Sequence, residues 1–430
     1  MMGILVIVPP TLHAQSPTTS STTLPASSAE RWAFDAPRSY GRDIGSIRGL
    51  ATAVDDRGYA HSVYQTSVDF MGSRNSGALI VQGVTPSGDR YERRLWTGDT
   101  GIAVNSIAAD HGRILVVAGV DEGDVQVRVW WSDDGGATWE QSQQPFGRAY
   151  GAIVGILPDG RGIVAVGIRE DSRFSTAIAV ETAVGSHQWT TTQPFAWGPV
   201  AKIAVWIRDS SIKAHANLPV VAVASGRSGG VDILTSYDAA TWQSSRISSD
   251  TPHTMRLSAV NGTLVLMHEM YGRRTFWLAQ SNPSVSVWQS VQVDLPPNLV
   301  VMANPLLDDS RSDDVNLVTS CFFTDRAFGT HRTQICVFRV PREHILAAER
   351  WQEQAVKPWT PLAMSSPHNG QTLALVAPRG VQAMIVWIGQ FAPSDFLHIN
   401  ATQAGFVLRS EAMYTTIRIG ALAHVPLPTQ

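Results

Sequence analysis

Ser106-Ile107-Ala108-Ala109 is followed by Asp110-His111-Gly112 and then by Ile114-Leu115-Val116-Val117, and a third run beyond them ends in Ser132-Asp133-Asp134-Gly135-Gly136-Ala137-Thr138-Trp139. Two short apolar runs joined by Asp, Asn or Gly read as a β-hairpin, because tight hairpin turns need the positive φ that these residues tolerate best. The same unit recurs down the chain. Leu50–Val54 turns at Asp55-Asp56-Arg57-Gly58 into Tyr59–Tyr64, and Ile153–Leu157 turns at Pro158-Asp159-Gly160 into Ile163–Val166. Leu257–Val260 turns at Asn261-Gly262 into Leu264–Leu266, and Leu362–Met364 turns at His368-Asn369-Gly370 into Leu373–Val376. Two further copies carry longer turns, Arg208–Asn217 and Asp308–Asp314, which makes seven hairpins. A third strand and a tryptophan follow six of them, at Trp96, Trp139, Trp189, Trp242, Trp288 and Trp351. No segment of ordinary length has a helical period. Short, evenly spaced strands with one aromatic per unit predict an all-β propeller. Seven blades are expected, with six as the alternative.

The 430 residues give a loose prior of about three domains, which the periodicity overrides in favour of one propeller domain over 31–430. Charged residues make up 16% and hydrophobic ones 44%, so there is ample apolar surface to offset chain entropy. Lys+Arg 33 against Asp+Glu 36 leaves a net charge of -3 and no electrostatic footprint for nucleic acid. The longest clean apolar run, Ile4–Val8, falls far short of the roughly 18 residues that suggest a spanning helix, so no membrane span is expected.

Residues 1–14 read as the remnant of a signal peptide, with an apolar stretch before Leu12-His13-Ala14, although no Lys or Arg precedes Arg31. A start further upstream would account for the missing positive region; a plain apolar tail is the other reading. Residues 15–30, rich in Ser, Thr, Pro and Ala, read as a disordered tether. The expected location is therefore secreted, periplasmic or cell-surface. Cys321 and Cys336 lie in apolar runs on either side of Thr324–Thr330, where they can face each other across one hairpin. A disulfide fits an oxidising compartment and closes a loop worth about 3 kcal/mol, with two buried thiols as the alternative.

Ser132, Asp134, Gly136, Thr138 and Trp139 fit Ser-x-Asp-x-Gly-x-Thr-Trp without a gap, and the segment resembles the Asp-box, or bacterial neuraminidase repeat. Echoes lie in other units: Ser236–Trp242 is one residue short, Ser281–Trp288 keeps the end residues, and Glu181–Trp189 keeps little besides its tryptophan. In such a turn the Ser hydroxyl and Asp carboxylate accept from unpaired amides, Gly permits a left-handed step, and Trp staples the turn to the sheet. The resemblance puts the motif at the blade periphery, which makes Asp134 structural rather than catalytic.

Sialidases are the best-known Asp-box enzymes, and the resemblance implies a set of site residues. The family holds its substrate carboxylate with three arginines, whose forks suit a planar anion, and uses a Tyr nucleophile paired with Glu and an acid/base Asp. Arg48 in Ser46-Ile47-Arg48-Gly49 occupies the place of the first arginine, without the family's Ile-Pro. Asp69 corresponds to the acid/base, Glu269 to the glutamate, Arg273 or Arg274 to a second arginine, Tyr414 to the nucleophile and Arg409 or Arg418 to the third arginine. The chain departs from the family in the lost Ile-Pro, in having one intact box and in its expected blade count. For the arginines, surface ion pairs are the competing assignment.

No His-Glu-x-x-His, closely spaced Cys pair or phosphate loop is present, so no metal site and no cofactor are expected. The carboxylates of Asp308–Asp314 read as a solvated turn rather than a calcium site. Asn261-Gly262-Thr263 and Asn400-Ala401-Thr402 are glycosylation sequons. The tryptophans outside the staples, Trp130 and Trp131 among them, are expected to pack between blades, with a few free to stack on sugars. The leading expectation is a recognition module for a glycan or protein ligand. An exo-glycosidase of sialidase type and a non-catalytic structural propeller are the alternatives.

Overall fold

The computed structural model describes the strands named below, together with residues 55, 111–112, 133–139, 142, 157–161, 182–188, 208, 215–220, 229, 237–242, 252, 262 and 287. The strands form antiparallel sheets, numbered here in chain order, with consecutive strands as neighbours. Sheet 1 comprises Ser46–Val54, Ala60–Ser67, Gly77–Val84 and Arg90–Gly98. Sheet 2 comprises Ile102–Asp110, Arg113–Asp121, Val125–Ser132 and Glu140–Gln141. Sheet 3 comprises Ala149–Ile156, Gly162–Glu170, Arg173–Glu181 and Trp189–Ala196. Sheet 4 comprises Val200–Ile207, Val221–Arg227, Gly230–Ser236 and Gln243–Ile247. Sheet 5 comprises Thr254–Val260, Thr263–Glu269, Thr275–Ser281 and Trp288–Asp294. Sheet 6 comprises Leu299–Asp308, Asp314–Asp325, Thr330–Pro341 and Ala363–Met364.

The last sheet joins the two ends of the chain. Leu373–Val376 pairs with Gln382–Phe391, which pairs with Arg409–Ala421. The far edge of Arg409–Ala421 takes up Glu30–Phe34 and Arg38–Asp43. A small separate hairpin pairs Ile399–Asn400 with Gln403–Ala404. The first strands of successive sheets lie side by side in chain order, and Leu373–Val376 in turn lies beside Ser46–Val54. This is an all-β architecture of four-stranded antiparallel sheets, consistent with a propeller-like fold.

The pattern of the second strands explains why sheets stack in this order. In Arg113–Asp121 every residue from Ile114 to Val120 is buried, so both faces must be covered. Alternation sends Ile114, Val116 and Ala118 toward Val63, Leu79 and Val81 of sheet 1. It sends Leu115 and Val117 toward Ala152, Val154 and Val164 of sheet 3. Trp130 and Trp131 divide in the same way, one into each interface. Further on, Ile163 and Ala165 meet Val221, Val223 and Leu234, and Ala222 and Ala224 meet Leu257, Leu264 and Leu266. At about 25 cal/mol per Å² of apolar surface removed from water, these double-sided interfaces are the main stabilising element.

The tryptophans that follow the third strands of sheets 2 to 5 obey one rule. Trp139, Trp189, Trp242 and Trp288 each pack against the core shared with the preceding sheet. Trp288 adds a hydrogen bond from Nε1 to Ser245 Oγ of sheet 4 at 3.0 Å. The first strands of sheets 1 to 4 and 6 share a device: register shifts leave Gly49, Asn105, Tyr150, Ala201 and Met302 as extra residues. Such bulges sharpen the strand's twist.

One expected hairpin is not formed. Ala363–Met364 pairs with Cys336 and Val337 as the fourth strand of sheet 6, whereas Leu373–Val376 opens the last sheet. Adjacent apolar runs look alike whether they pair with each other or with different sheets. The two cysteines do sit on neighbouring strands, but in a staggered register: Cys321 opposes Gln334, and Cys336 opposes Thr319.

Candidate functional site

Sheets 2 to 5 end their third strands at Ser132, Glu181, Ser236 and Ser281, and the turns that follow Ser132 and Ser236 are built on one plan. In the first of these turns Ser132 Oγ donates to Asp134 Oδ1 at 2.7 Å and accepts from the Gly136 amide at 2.8 Å. Asp134 accepts from the Thr138 amide at 2.9 Å and from its hydroxyl at 2.6 Å. Trp139 Nε1 donates to the Gly136 carbonyl at 3.1 Å. The Thr138 hydroxyl and amide, then Ser132, hold the Asp134 carboxyl down at about 2. The backbone turns left-handed at Gly135 and Gly136, with φ of 73° and 100°. The Gly135 amide also donates to the Gly112 carbonyl, tying this turn to the first hairpin turn of the same sheet.

Ser236–Trp242 reproduces the arrangement with one residue fewer. Asp238 Oδ1 accepts from the amides of Ala240 at 2.8 Å and Thr241 at 2.7 Å, and Oδ2 accepts from the Thr241 hydroxyl at 2.8 Å. Those bonds, led by the Thr241 amide, hold Asp238 well below the ordinary carboxylate range. Ala239, with φ of 59°, makes the left-handed step that glycine makes in sheet 2.

Glu181 departs from the plan and does something the sequence did not announce. Its fully buried carboxylate accepts from the Gly162 amide at 2.9 Å, the His187 amide at 3.0 Å and both Nη atoms of Arg113 at 2.9 and 3.2 Å. Arg113 donates through Nε to Asp133 at 2.7 Å. His187 stacks on Trp131 with ring centroids 3.9 Å apart, and its Nε2 lies 3.2 Å from Asp133. Burial alone would raise the Glu181 pKa, but the Arg113 fork and the two amides outweigh it, so the carboxyl sits below its ordinary value. An interlocked ion cluster of this kind fastens sheet 2 to sheet 3.

The residues named from the sialidase resemblance are spread over three sheets. Arg48 is the third residue of Ser46–Val54 and opposes Gln65. Glu269 ends the second strand of sheet 5, opposite Thr254 and Phe276. Tyr414 pairs with Val386 and Arg38 in the last sheet. Asp69, Arg273 and Arg274 lie outside the described residues. Arg48 and Glu269 both stand at the end of their sheets away from the first hairpin turn, and thus away from the Ser132–Trp139 type of turn.

Arg256 was missed in the sequence. It is the third residue of Thr254–Val260, the position that Arg48 has in sheet 1. Met255, Leu257 and Ala259 pack toward sheet 4, so alternation turns Arg256 to the face beside sheet 6. Burial lowers its pKa, and among the described residues no hydrogen bond or ion pair engages it. The signal that could have found it was the recurrence of a cation three residues into a first strand. Among the described residues no group of three His, Cys, Asp or Glu side chains is placed to hold a metal ion, and no helix is long and apolar enough to cross a membrane.

No family model matches the sequence, and no curated protein does. Among solved structures the chain is similar to the Hadza microbial sialidase Hz136, at 13% identity and a TM-score of 0.46, over 90% of this chain and 69% of that one. It is also similar to Zg3597, a family 117 glycoside hydrolase of the marine bacterium Zobellia galactanivorans, at 9% identity and a TM-score of 0.37, over 93% of each chain.

Proposed function

We propose that the chain is an exported, seven-bladed Asp-box propeller that recognises a glycan at the end of its central channel where the first strands begin. The cyclic order of neighbouring first strands, with Leu373–Val376 beside Ser46–Val54, supports a closed ring of seven sheets. Pairing of Glu30–Phe34 with Arg409–Ala421 supports closure by the two ends of the chain. The matching hydrogen bonds of Asp134 and Asp238 support the Asp-box reading of both turns.

The observation that carries the ligand reading is Arg256. A partly buried guanidinium with no partner among the described residues, on an innermost strand and level with Arg48, is a costly arrangement unless an anion completes it. Its fork suits a planar carboxylate. The ligand in this reading is therefore a carboxylate-bearing glycan.

Binding of the labelled chain to a glycan array, beside Arg256→Gln, tests this. Retention on carboxylate-bearing glycans by the wild type and its loss in the variant is the expected result. No retention on any of them would overturn the reading. A fluorogenic sialoside tests turnover: release above a heat-killed control would move the assignment to an exo-glycosidase and bring Asp69, Glu269 and Tyr414 into the mechanism.

A further inference from the structure

A second polar cleft lies on the outer edge of the molecule, where the last strand of sheet 1 faces the Ser132–Trp139 turn and the short edge strand Glu140–Gln141 of sheet 2. It encloses ≈ 240 Å³, below the roughly 300–1,000 Å³ of pockets for drug-sized ligands and suited to a single sugar ring. One wall carries the exposed side chains of Arg93 and Arg94 with the half-buried Leu95. The opposite wall carries Trp139, backed by the buried Trp130, and the polar groups of Glu140 and Gln141.

Two features distinguish this wall from an ordinary solvated edge. Leu95 is an extra residue in the strand: Trp96 opposes Leu79 and Arg94 opposes Ile80, so a bulge breaks the alternation and lets neighbouring residues line one cleft. The arginines are also left without counter-charges. The adjacent Glu92 accepts from Gln82, Arg93 is tied only to the Glu92 carbonyl at 3.0 Å, and among the described residues no carboxylate pairs with Arg93 or Arg94. Glu140 lies in the same lining without engaging either of them.

We propose that this cleft is a binding site for an acidic saccharide, separate from the channel reading and independent of it. The anionic group is held by the Arg93–Arg94 pair, and the ring lies against the Trp139 indole, whose Nε1 is already committed to the Gly136 carbonyl and so presents an apolar surface. Gln141 and Glu140 supply the polar contacts that sugar hydroxyls need.

Saturation-transfer NMR with methyl β-D-glucuronide, against methyl β-D-glucoside as the neutral counterpart, tests the site. Arg256→Gln, which removes the channel's carboxylate-binding group, serves as the background for every arm of the test. In it the chain is expected to keep a glucuronide signal and to give no glucoside signal, and the cleft variants are made in that background. The Arg93→Gln/Arg94→Gln double variant, both positions being exposed, is expected to keep the melting temperature of that background and lose at least fivefold in apparent affinity. Ala137→Tyr, which fills the cleft from the turn and leaves both arginines in place, is expected to abolish the signal. A glucuronide signal unchanged in both cleft variants, equal binding of the glucoside, or no glucuronide signal in the wild type overturns the proposal. Loss in Arg256→Gln alone would assign the sugar to the channel instead.

Discussion

Arg113, the first residue of the second strand of sheet 2, grips Glu181, the last residue of the third strand of sheet 3, through two hydrogen bonds of 2.9 and 3.2 Å, with only 5% of the arginine and none of the glutamate exposed. Glu181 stands where the turns of sheets 2 and 4 have a serine, so this turn is held by its neighbour's arginine in addition to its own hydrogen bonds. Glu181→Ala leaves a buried guanidinium with Asp133 as its sole carboxylate, and a loss of about 3–5 kcal/mol is expected in urea unfolding. Replacing both as Arg113→Met/Glu181→Leu is expected to cost less than the single change, because no charge is then stranded.

His268 is 1% exposed, and burial pushes its pKa down to about 4, against an ordinary value of about 6.5. The unfolded chain therefore binds a proton that the folded chain refuses. The stability this contributes is fully present above pH 6.5 and is lost as pH falls toward 4. His268→Met is expected to flatten that limb of a stability–pH curve measured by urea midpoints. An unchanged slope between pH 6.5 and 4 would exclude His268 as its source.

A second acid limb involves Asp134. Its folded value of about 2 lies below the ordinary value of about 3.9, so the stabilisation holds above pH 4 and disappears as pH approaches 2. Asp134→Asn is expected to shrink this limb, to which Asp238 and Glu181 also contribute, and to spare the one that His268 sets at higher pH.

Gly136 combines a φ of 100° with a neighbour: a Cβ placed there would meet the Tyr91 ring of sheet 1 at 2.9 Å. Gly136→Ala is expected to lower stability by about 1–3 kcal/mol through backbone strain, visible as a drop in melting temperature. Gly151, where an added Cβ meets nothing within 4 Å, is the control expected to tolerate alanine better.

The Cys321–Cys336 bridge is proposed on the shared hairpin. Their register makes them diagonal neighbours, a separation of about 7–8 Å that local twist must shorten to the roughly 4.4–6.8 Å a disulfide spans. Thiol titration in denaturant without reductant is expected to find no free thiol; two thiols per chain would exclude the bridge.

Strands, turns and tryptophan positions were legible in the sequence, because these follow from local preferences: alternating or continuous apolar runs, Gly at most positions where φ is positive, and an indole after six of the hairpins. Ser132–Trp139 was legible because the hydrogen bonds of its Ser132, Asp134, Thr138 and Trp139 side chains join residues within one short turn. Other features depend on residues far apart in the chain. Leu373–Val376 joins the last sheet rather than pairing with Ala363–Met364, because the choice of partner lies in contacts that neither run encodes alone. Glu181 pairs with Arg113 across 68 positions, and among the described residues no carboxylate pairs with Arg256, Arg93 or Arg94, which no reading of neighbours along the chain reveals.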